Sequence, residues 1–383
     1  MARVAMAMSG GVDSSVAAAL LKEQGHEVIG LHMKLYHGPE NENRQKSCCS
    51  LDEAIDARSA CHRLDIPFYV LDYQKEFRET VIDYFISEYS SGQTPNPCVM
   101  CNKKIKSDLL LKKANLVKPD LIFFMIFRDH FTVETLSKLK DKYVTVNWFG
   151  DDTWRFDNYT YKYAPHFTWC ITTDKFSIDK YKRIGVNNVF RSQWAAINNN
   201  DIPKFDGSYK YDVTFVGAKH PYRKWFTNKL RQRGINIQCF GHGWKNGSLT
   251  SEQMNNVFCH SKINLNLSNS NSLNLNYLLS SPVNIAHTIR SKKTMSQIKA
   301  RNFEIPFFNG FQLSDYAPTI EDYFDIGKEI VCYSNLDEAE TLIKYYLQND
   351  DERESIKEAS HNKSISDHGY INRLEDFFKV LEK

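Results

Sequence analysis

Short apolar runs and amphipathic stretches alternate along the first hundred residues. The apolar run 3–8 predicts a strand, and the pattern at 14–24 predicts a helix that ends at Gly25. Further strands are predicted at 27–34 and 68–71, and further helices at 51–64 and 75–89. This alternating order of strands and helices indicates a parallel sheet with helices on both faces.

The alternation continues through the rest of the chain in two sets of elements. The first set has predicted strands at 120–127, 143–148, 167–173 and 188–191, with a helix at 131–139. The second has strands at 211–216, 235–240 and 263–267, helices at 222–232 and 251–258, a loop at 268–278 and terminal helices at 336–347, 351–360 and 370–381. We therefore predict an α/β fold with doubly wound parallel sheets in two Rossmann-like domains.

The amino-acid composition changes near residue 106. Residues 1–106 contain 9 Ala and 4 Asn, whereas residues 107–383 contain 10 Ala and 26 Asn. Two joined sequences of different origin would show such a shift, so a composite chain is favoured. We predict a half domain at 1–106, the remainder of the N-terminal Rossmann-like domain at 107–197, a polar linker at 198–210 and a second domain at 211–383.

Charge and cysteine content limit the class of protein. Residues 1–106 hold 12 Lys and Arg against 14 Asp and Glu, without the basic surplus of a strong nucleic-acid binder. Nine scattered cysteines are an odd number and fit a reducing compartment better than a disulfide framework. The longest apolar run, 121–127, is too short to cross a membrane. These features predict a cytoplasmic protein without a membrane span.

The segment Ser9-Gly10-Gly11-Val12-Asp13-Ser14-Ser15 follows the first strand and is suited to binding phosphate. Its glycines let backbone amides turn towards an anion, and the N-terminus of the following helix favours negative charge. The serine hydroxyls can donate hydrogen bonds, and Asp13 could hold a Mg²⁺ ion beside a pyrophosphate. The alternative is a turn that only caps the helix. The order strand, loop and helix favours phosphate binding, and the loop resembles that of the ATP-pyrophosphatases.

This loop, with Gly30-Leu31-His32-Met33-Lys34 and the stretch from Thr94 to Lys106, resembles the tRNA-specific 2-thiouridylases. The resemblance covers residues 2–106 and implies adenylation of a tRNA uridine by ATP, followed by replacement of the activated oxygen with sulfur. It implies that Asn96, Pro97 and Cys98 meet the base and that Cys101 is the nucleophile. The ATP contacts that it implies are Ala7, Met8, Ser9, Gly10, Gly11, Val12, Asp13, Ser14 and Met33.

The cysteines of this stretch leave an alternative open. Lys103 and Lys104 favour the reactive thiolate form of Cys101. Cys98 stands where many family members have an aspartate, so the pair is either half of a metal site or two reduced thiols; we expect the thiols and no metal. After Lys106 the resemblance ends, without the family's Gly-His strand motif, second cysteine or tRNA-binding region. We therefore expect no sulfur transfer, and tRNA is kept only as an alternative partner.

Further segments carry a second resemblance: 118–123, 148–152, 212–217, 299–306, 327–330 and 367–370. In their order and spacing, residues 107–383 resemble GT-B glycosyltransferases of the group related to spore-maturation proteins. This implies a nucleotide-sugar donor and an acceptor that the sequence does not identify. Gly217 ends a strand and Arg223 begins the next helix, which suits a diphosphate. By resemblance, Glu304, preceded by Arg301, would accept hydrogen bonds from the donor ribose.

Asp151 and Asp152 lie at the end of a predicted strand, where they could bind an acceptor or a metal ion, or equally cap the next turn. Three functions are open: a glycosyltransferase with a hybrid N-terminal domain, an ATP-dependent tRNA-uridine 2-sulfurtransferase, and a non-catalytic fusion protein that binds nucleotide. The first is favoured because its resemblance covers 277 of the 383 residues.

Overall fold

The computed structural model describes residues 3–8, 12–35, 51–93, 95–126, 129, 131–196, 202–269, 271–291, 293 and 295–381. The chain divides into two compact units, Met1–Ser192 and Gln193–Lys383. No helix in the described part of the chain is both long and apolar enough to cross a membrane.

The first unit is built, in its described residues, on a seven-stranded parallel sheet with the order β3-β2-β1-β4-β5-β6-β7. Its strands are β1 (Arg3–Ala7), β2 (Glu27–Lys34), β3 (Phe68–Asp72), β4 (Leu121–Phe124), β5 (Val144–Phe149), β6 (Trp169–Thr172) and β7 (Val189–Arg191). β2 and β3 extend the sheet on one side of β1, and β4 to β7 extend it on the other. The strand order therefore reverses between β1 and β4, which makes this the switch point of a doubly wound sheet.

Helices connect these strands. They are α1 (Val12–Glu23), α2 (Leu51–Arg63), α3 (Gln74–Phe77), α4 (Asp83–Ser90), α5 (Pro97–Met100), α6 (Ser107–Val117), α7 (Val133–Lys140), α8 (Asp152–Arg155), α9 (Thr160–Tyr163) and α10 (Ile178–Arg183). Single π-helical turns, Arg78–Ile82 and Cys101–Lys106, join α3 to α4 and α5 to α6. Short 3₁₀ turns cover Phe156–Asn158, Ala164–His166 and Lys175–Ser177.

The composition change near residue 106 lies where α5 is joined to α6. Met100 and Lys106 both have right-handed helical backbone angles, so α5, the π turn and α6 form one continuous helix. β1, from one side of the change, pairs with β4 from the other, with Val4 opposite Leu121. The change at residue 106 therefore lies within one continuous helix, and the strands before and after it belong to the same sheet. A composite origin stays a prediction, but the two segments share one hydrogen-bonded layer.

The core of the first unit follows from the sequence of β4. Leu121, Ile122, Phe123 and Phe124 are all buried, as expected for a central parallel strand that is covered on both faces. Phe124 packs edge to face against Phe131 and Phe167. The apolar positions of α7, Leu136 and Leu139, join the same cluster.

The second unit is built, where the chain is described, on a five-stranded parallel sheet with the order β12-β11-β10-β8-β9. Its strands are β8 (Tyr211–Val216), β9 (Ile237–Phe240), β10 (Ser261–Asn266), β11 (Gln312–Asp315) and β12 (Val331–Tyr333). Its helices are α11 (Pro221–Gln232), α12 (Ser251–Cys259), α13 (Leu275–Leu278), α14 (Pro282–Arg290), α15 (Arg301–Phe307), α16 (Leu336–Gln348), α17 (Asp350–Asp367) and α18 (Tyr370–Leu381), with a 3₁₀ turn at Ile320–Asp322. The predicted α/β class with two doubly wound parallel sheets is thus confirmed.

The strands of the second sheet alternate between apolar and polar buried positions. On β10, Ile263 and Leu265 enter the apolar core, and Asn264 and Asn266 alternate with them. The Asn264 amide donates to the carbonyl oxygens of Phe258 (2.9 Å) and Phe311 (3.2 Å). These hydrogen bonds offset the cost of burying the amide. They also tie β10 to the end of α12 and to the residue before β11.

The structure differs from the sequence predictions at several elements. α13 lies within the predicted loop at 268–278, and α14, α15, β11 and β12 were not predicted. The described residues of the predicted linker, 202–210, form no helix or strand, but the division between the compact units lies earlier, after Ser192. The two missed strands, β11 and β12, are four and three residues long, which leaves little periodic pattern, although β7 and β9 of similar length were predicted.

Candidate functional site

The carboxyl ends of the central strands in the second sheet hold glycine and small polar residues. Gly217 follows β8, Gly241 follows β9, Ser268 lies two residues beyond β10, and Asp315 ends β11. Ligands of doubly wound proteins bind outside this edge of the sheet. This edge, with Arg223 and Arg301, is called the carboxyl-edge site below.

Two arginine side chains lie at the carboxyl-edge site, Arg223 buried and Arg301 half-buried. The Arg223 guanidinium donates to the carbonyl oxygens of Asn269 (3.0 Å), Ala218 (3.1 Å) and Ser268 (3.0 Å). The Arg301 guanidinium donates to the carbonyl oxygens of Val216 and Leu267. These arginines hold together the chain segments that leave β8 and β10.

The two guanidinium groups are also close to each other. Both lie 5.6 Å from the centre of the Phe215 ring. Burial and the charge of Arg301 together lower the pKa of Arg223 to about 9, and burial lowers the pKa of Arg301. Both groups are cationic at neutral pH, so the site concentrates like charges that an anion would stabilise.

Asp315 and Glu304 supply negative charge near these arginines. Asp315 accepts hydrogen bonds from the Ser268 amide (2.9 Å), the Ser268 hydroxyl (2.6 Å) and the Ser296 hydroxyl (3.1 Å). Burial nevertheless raises the pKa of Asp315. Glu304 is half-buried on α15, and its charge partly offsets the effect of burial on Arg301. The predicted residues Gly217, Arg223, Arg301 and Glu304 are therefore brought together.

The glycines at this edge allow the backbone to come close to its neighbours. A Cβ atom at Gly217 would overlap the Arg301 guanidinium, and a Cβ atom at Gly241 would lie 2.5 Å from the Gly217 carbonyl oxygen. The Gly217 amide donates to the Phe240 carbonyl oxygen (2.9 Å), and its own carbonyl accepts from the Trp244 indole (2.9 Å). Any larger side chain would push the strand ends apart.

Sequence reasoning missed Asp315, Ser268 and Ser296. Gln312, eight residues after Glu304, is buried at the start of β11, at the opposite end of that strand from Asp315. An available signal was the short run from Phe311 to Asp315, in which apolar and polar residues alternate before a carboxylate. Without β11 assigned, that carboxylate could not be placed at the edge of the sheet.

The predicted phosphate loop follows β1 in the sequence, and β1 lies at the switch point of the sheet. Ser9, Gly10 and Gly11 lie outside the described residues, while Val12 and Asp13 open α1 and Ser14 is buried in its first turn. Before the loop, the Met8 amide donates to the Leu31 carbonyl oxygen (2.8 Å), and the Met8 carbonyl oxygen lies 2.9 Å from Nδ1 of His32. Ala7 and Met8 therefore bring the chain to the edge where a doubly wound sheet binds nucleotides.

The predicted nucleophile and the predicted ATP contact on β2 share one apolar cluster. Cys101 is buried with Leu35, Val81 and Ile105, and Met33 packs against this cluster. Cys101 also begins a π-helical turn, a distortion that is frequent at functional sites. The structure thus brings Cys101 and Met33 together in one cluster.

Asn96, Pro97 and Cys98 form the start of α5. The Asn96 side chain accepts from the amides of Cys98 (3.1 Å) and Val99 (3.3 Å), and Pro97 occupies the first helical turn. Cys98 is exposed, whereas Cys101 is buried. The described residues contain no cluster of three metal-ligating side chains. Through its hydrogen bonds to the two amides, Asn96 caps the N-terminus of α5.

Asp152 lies within a set of hydroxyl groups inside the first unit. Its carboxylate accepts hydrogen bonds from Thr160 (2.6 Å), Thr172 (2.6 Å) and Tyr181 (2.7 Å). Burial raises the pKa of Asp152 to about 6, partly offset by these three bonds. These hydrogen bonds join Asp152 to side chains of later segments and differ from the turn cap that the sequence left open; binding of an acceptor or a metal ion stays a prediction. Asp151 is half-buried and precedes α8.

Two family models match different parts of the chain. Residues 2–132 match the model described as a tRNA methyl transferase HUP domain, which extends the match beyond Lys106. Residues 223–379 match the model described as glycosyl transferase-like.

Curated relatives match the N-terminal part. The tRNA-specific 2-thiouridylase MnmA of Herpetosiphon aurantiacus is 54% identical over 117 residues, which are 30% of this chain and 33% of that protein. The enzyme of Clostridium beijerinckii is 44% identical over 170 residues, 43% of this chain and 45% of that protein. The chain therefore spans between a third and a half of the length of these relatives.

Solved structures with a similar fold are glycosyltransferases and related proteins. Anabaena Alr3699/HepE in complex with UDP-glucose has a TM-score of 0.59 at 9% identity, with 100% of both chains covered. A variant of S. aureus TarM in complex with fondaparinux, alpha-GlcNAc-glycerol and UDP has a TM-score of 0.60 at 11% identity, again with 100% of both chains covered. The fold is thus that of a two-unit α/β protein of the GT-B type. In particular, the chain joins a thiouridylase-like HUP domain to a glycosyltransferase-like domain.

Proposed function

We propose that the second unit binds a nucleotide sugar at the carboxyl-edge site and transfers the sugar to an acceptor. The observation that carries this proposal is the pair of guanidinium groups, from buried Arg223 and half-buried Arg301, at the carboxyl edge of a doubly wound sheet. The guanidinium groups of Arg223 and Arg301, each 5.6 Å from the centre of the Phe215 ring, favour a ligand with two negative charges. The diphosphate of a nucleotide sugar has this chemistry. The bound UDP and UDP-glucose of the similar structures support the same ligand class.

The residues of the site have separate roles in the proposed reaction. An arginine carries five N–H donors. Arg301 uses at least one each on Val216 and Leu267, leaving others for phosphate oxygens. The guanidinium charges stabilise the diphosphate as it leaves with the bond electrons, because they are fixed in place before the reaction. Glu304 accepts hydrogen bonds from the donor ribose and so orients the nucleotide.

Calorimetry with a panel of nucleotide sugars tests this proposal. One member of the panel should bind, and Glu304→Ala should weaken that binding about tenfold, the contribution of a hydrogen bond to a charged group. Glu375→Ala, which removes an exposed carboxylate on α18, is the matched control and should change nothing. The assignment is wrong if no nucleotide sugar binds, or if Glu304→Ala leaves the affinity unchanged.

Turnover separates this function from a non-catalytic fusion protein. A glycosyltransferase releases the nucleoside diphosphate when an acceptor is supplied, and many such enzymes can be followed by that release alone. Binding of a nucleotide sugar without release of the diphosphate, across a broad set of sugar and lipid-linked acceptors, would favour the non-catalytic alternative.

The proposal for the first unit is that the loop at Ser9–Ser15 binds ATP. It is supported by the HUP-domain match and by the position of the loop at the switch point. A role of Asp13 in holding Mg²⁺ is part of the same proposal. Because the chain covers only 33% of one thiouridylase relative and 45% of another, we expect no thiolation. Detection of 2-thiouridine in tRNA after incubation with ATP and a sulfur donor would overturn that expectation.

A further inference from the structure

The segment that contains α13 and α14 exposes an unusual number of large apolar side chains. The exposed fractions are 72% for Leu275, 79% for Leu279, 68% for Val283, 42% for Ile285 and 79% for Ile289. These five residues are called the α13–α14 apolar surface below. Single exposed apolar residues are common on proteins, but a contiguous set of this kind marks an interaction surface.

α14 has its polar side turned towards the protein. Thr288 is buried and donates from its hydroxyl to the Asn271 side chain (2.7 Å), and Asn284 donates to the Tyr277 carbonyl oxygen (3.1 Å). The outward positions of the helix carry Val283, Ile285 and Ile289. A helix that only covers a core would have the opposite arrangement. The outward apolar face therefore needs another explanation.

The part of the chain that forms this surface is strongly basic. Between residues 213 and 303 the chain has 13 Lys and Arg and a single acidic residue, Glu252, whereas the rest has 36 basic against 45 acidic residues. Lys219, Lys224 and Lys229 line a cavity of about 600 Å³ together with Val283 and the turn at 280–281. Arg290 is exposed at the end of α14. The α13–α14 apolar surface is thus bordered by cations.

We propose that the α13–α14 apolar surface docks onto a lipid bilayer that contains anionic headgroups. Apolar side chains beside lysine and arginine are the pattern of segments that lie in the interface of a membrane without crossing it. In this arrangement Val283 and Ile289 enter the acyl boundary, and the lysines of α11 and Arg290 contact the headgroups. This docking is independent of the proposed transfer reaction.

Two other occupants fit the same surface less well. A second copy of this chain, packed symmetrically, would bring the same basic residues against each other. Nucleic acid would satisfy the charge, but the exposed apolar residues are aliphatic and offer no aromatic ring for stacking on bases. The bilayer accounts for both the charge and the aliphatic side chains.

Sedimentation of the full-length protein with vesicles tests this proposal. The vesicles are phosphatidylcholine alone, or phosphatidylcholine with phosphatidylglycerol. The protein should sediment with the anionic vesicles, and raised salt should weaken this binding. Replacing Val283 and Ile289 together by serine should weaken it about tenfold for each side chain. Arg290→Gln should weaken it about fivefold, and only on the anionic vesicles.

A matched control variant is Leu116→Ser, which removes a 74% exposed leucine from α6 in the first unit and should leave vesicle binding unchanged. Light scattering and tRNA retention are measured on the same proteins. The proposal is overturned if the anionic vesicles do not bind the protein or if the Val283/Ile289 double variant binds them fully. It is also overturned if that variant instead abolishes a dimer or tRNA binding.

Discussion

Replacing Asp152 by asparagine should change how the stability of the first unit depends on pH. Burial raises the pKa of Asp152 from 3.8 to about 6 in the folded protein. A carboxyl group whose folded pKa is raised stabilises the fold when it is protonated, and this contribution is lost as the pH rises through about 6. A difference of two pH units corresponds to about 3 kcal/mol. Asparagine cannot ionise, so the variant does not lose this contribution.

The assay compares the variant with the wild type at each pH from 4 to 7. Hydrogen exchange of the peptides covering 144–149 and 169–172 reports the local stability of β5 and β6. Intrinsic exchange rates cancel because both proteins are measured at the same pH. From pH 4 to 7 the variant should gain about 3 kcal/mol relative to the wild type. Asp179→Asn controls for the loss of one exposed carboxylate. A stability difference between the variant and the wild type that stays constant from pH 4 to 7 would contradict the raised pKa of Asp152.

Two other predictions concern helix caps and close contacts. Asn96→Ala should destabilise α5 by about 1 kcal/mol because two backbone amides lose their acceptor, and Asn96→Asp should restore the stability of the helix. Hydrogen exchange of the peptide 97–117 measures this stability. Full protection of that peptide in the alanine variant would contradict the prediction. Gly241→Ala should lower nucleotide-sugar affinity, because the Cβ would meet Gly217 at a backbone φ of +119°. Calorimetry compares this variant with Gly247→Ala, where φ is also positive but no atom lies within 4 Å of the added Cβ. Equal nucleotide-sugar affinities of the two variants would show that the contact with Gly217 is unimportant.

Most long elements of both units could be predicted from periodicity, although α6, which has 11 residues, was not predicted. β2, β8 and α18 have the predicted bounds, because apolar alternation and helical spacing extend over six or more residues. α14 could not be predicted in the same way. Its apolar residues face outward and its polar residues make internal hydrogen bonds, so its pattern is the reverse of the usual one.

The candidate site was predictable where one motif carries the chemistry. Gly217 and Arg223 follow a clear strand, and the structure places them with Arg301 and Glu304. The role of Asp152 was not predictable, because its partners Thr160, Thr172 and Tyr181 come from three later segments. Nothing in the local sequence distinguishes a buried carboxylate surrounded by hydroxyl groups from an exposed one.

We propose above that Arg223 and Arg301 receive the diphosphate of a nucleotide sugar. Substituting Arg223 or Arg301 would also release the carbonyl groups that they hold, so a comparison of ligands is the more direct test. The measurement is the affinity of the nucleoside diphosphate that binds best, against that of its nucleoside, at increasing salt. We expect the diphosphate to bind about a hundredfold more tightly, with the difference reduced by salt. Equal affinities of the two ligands would contradict the account.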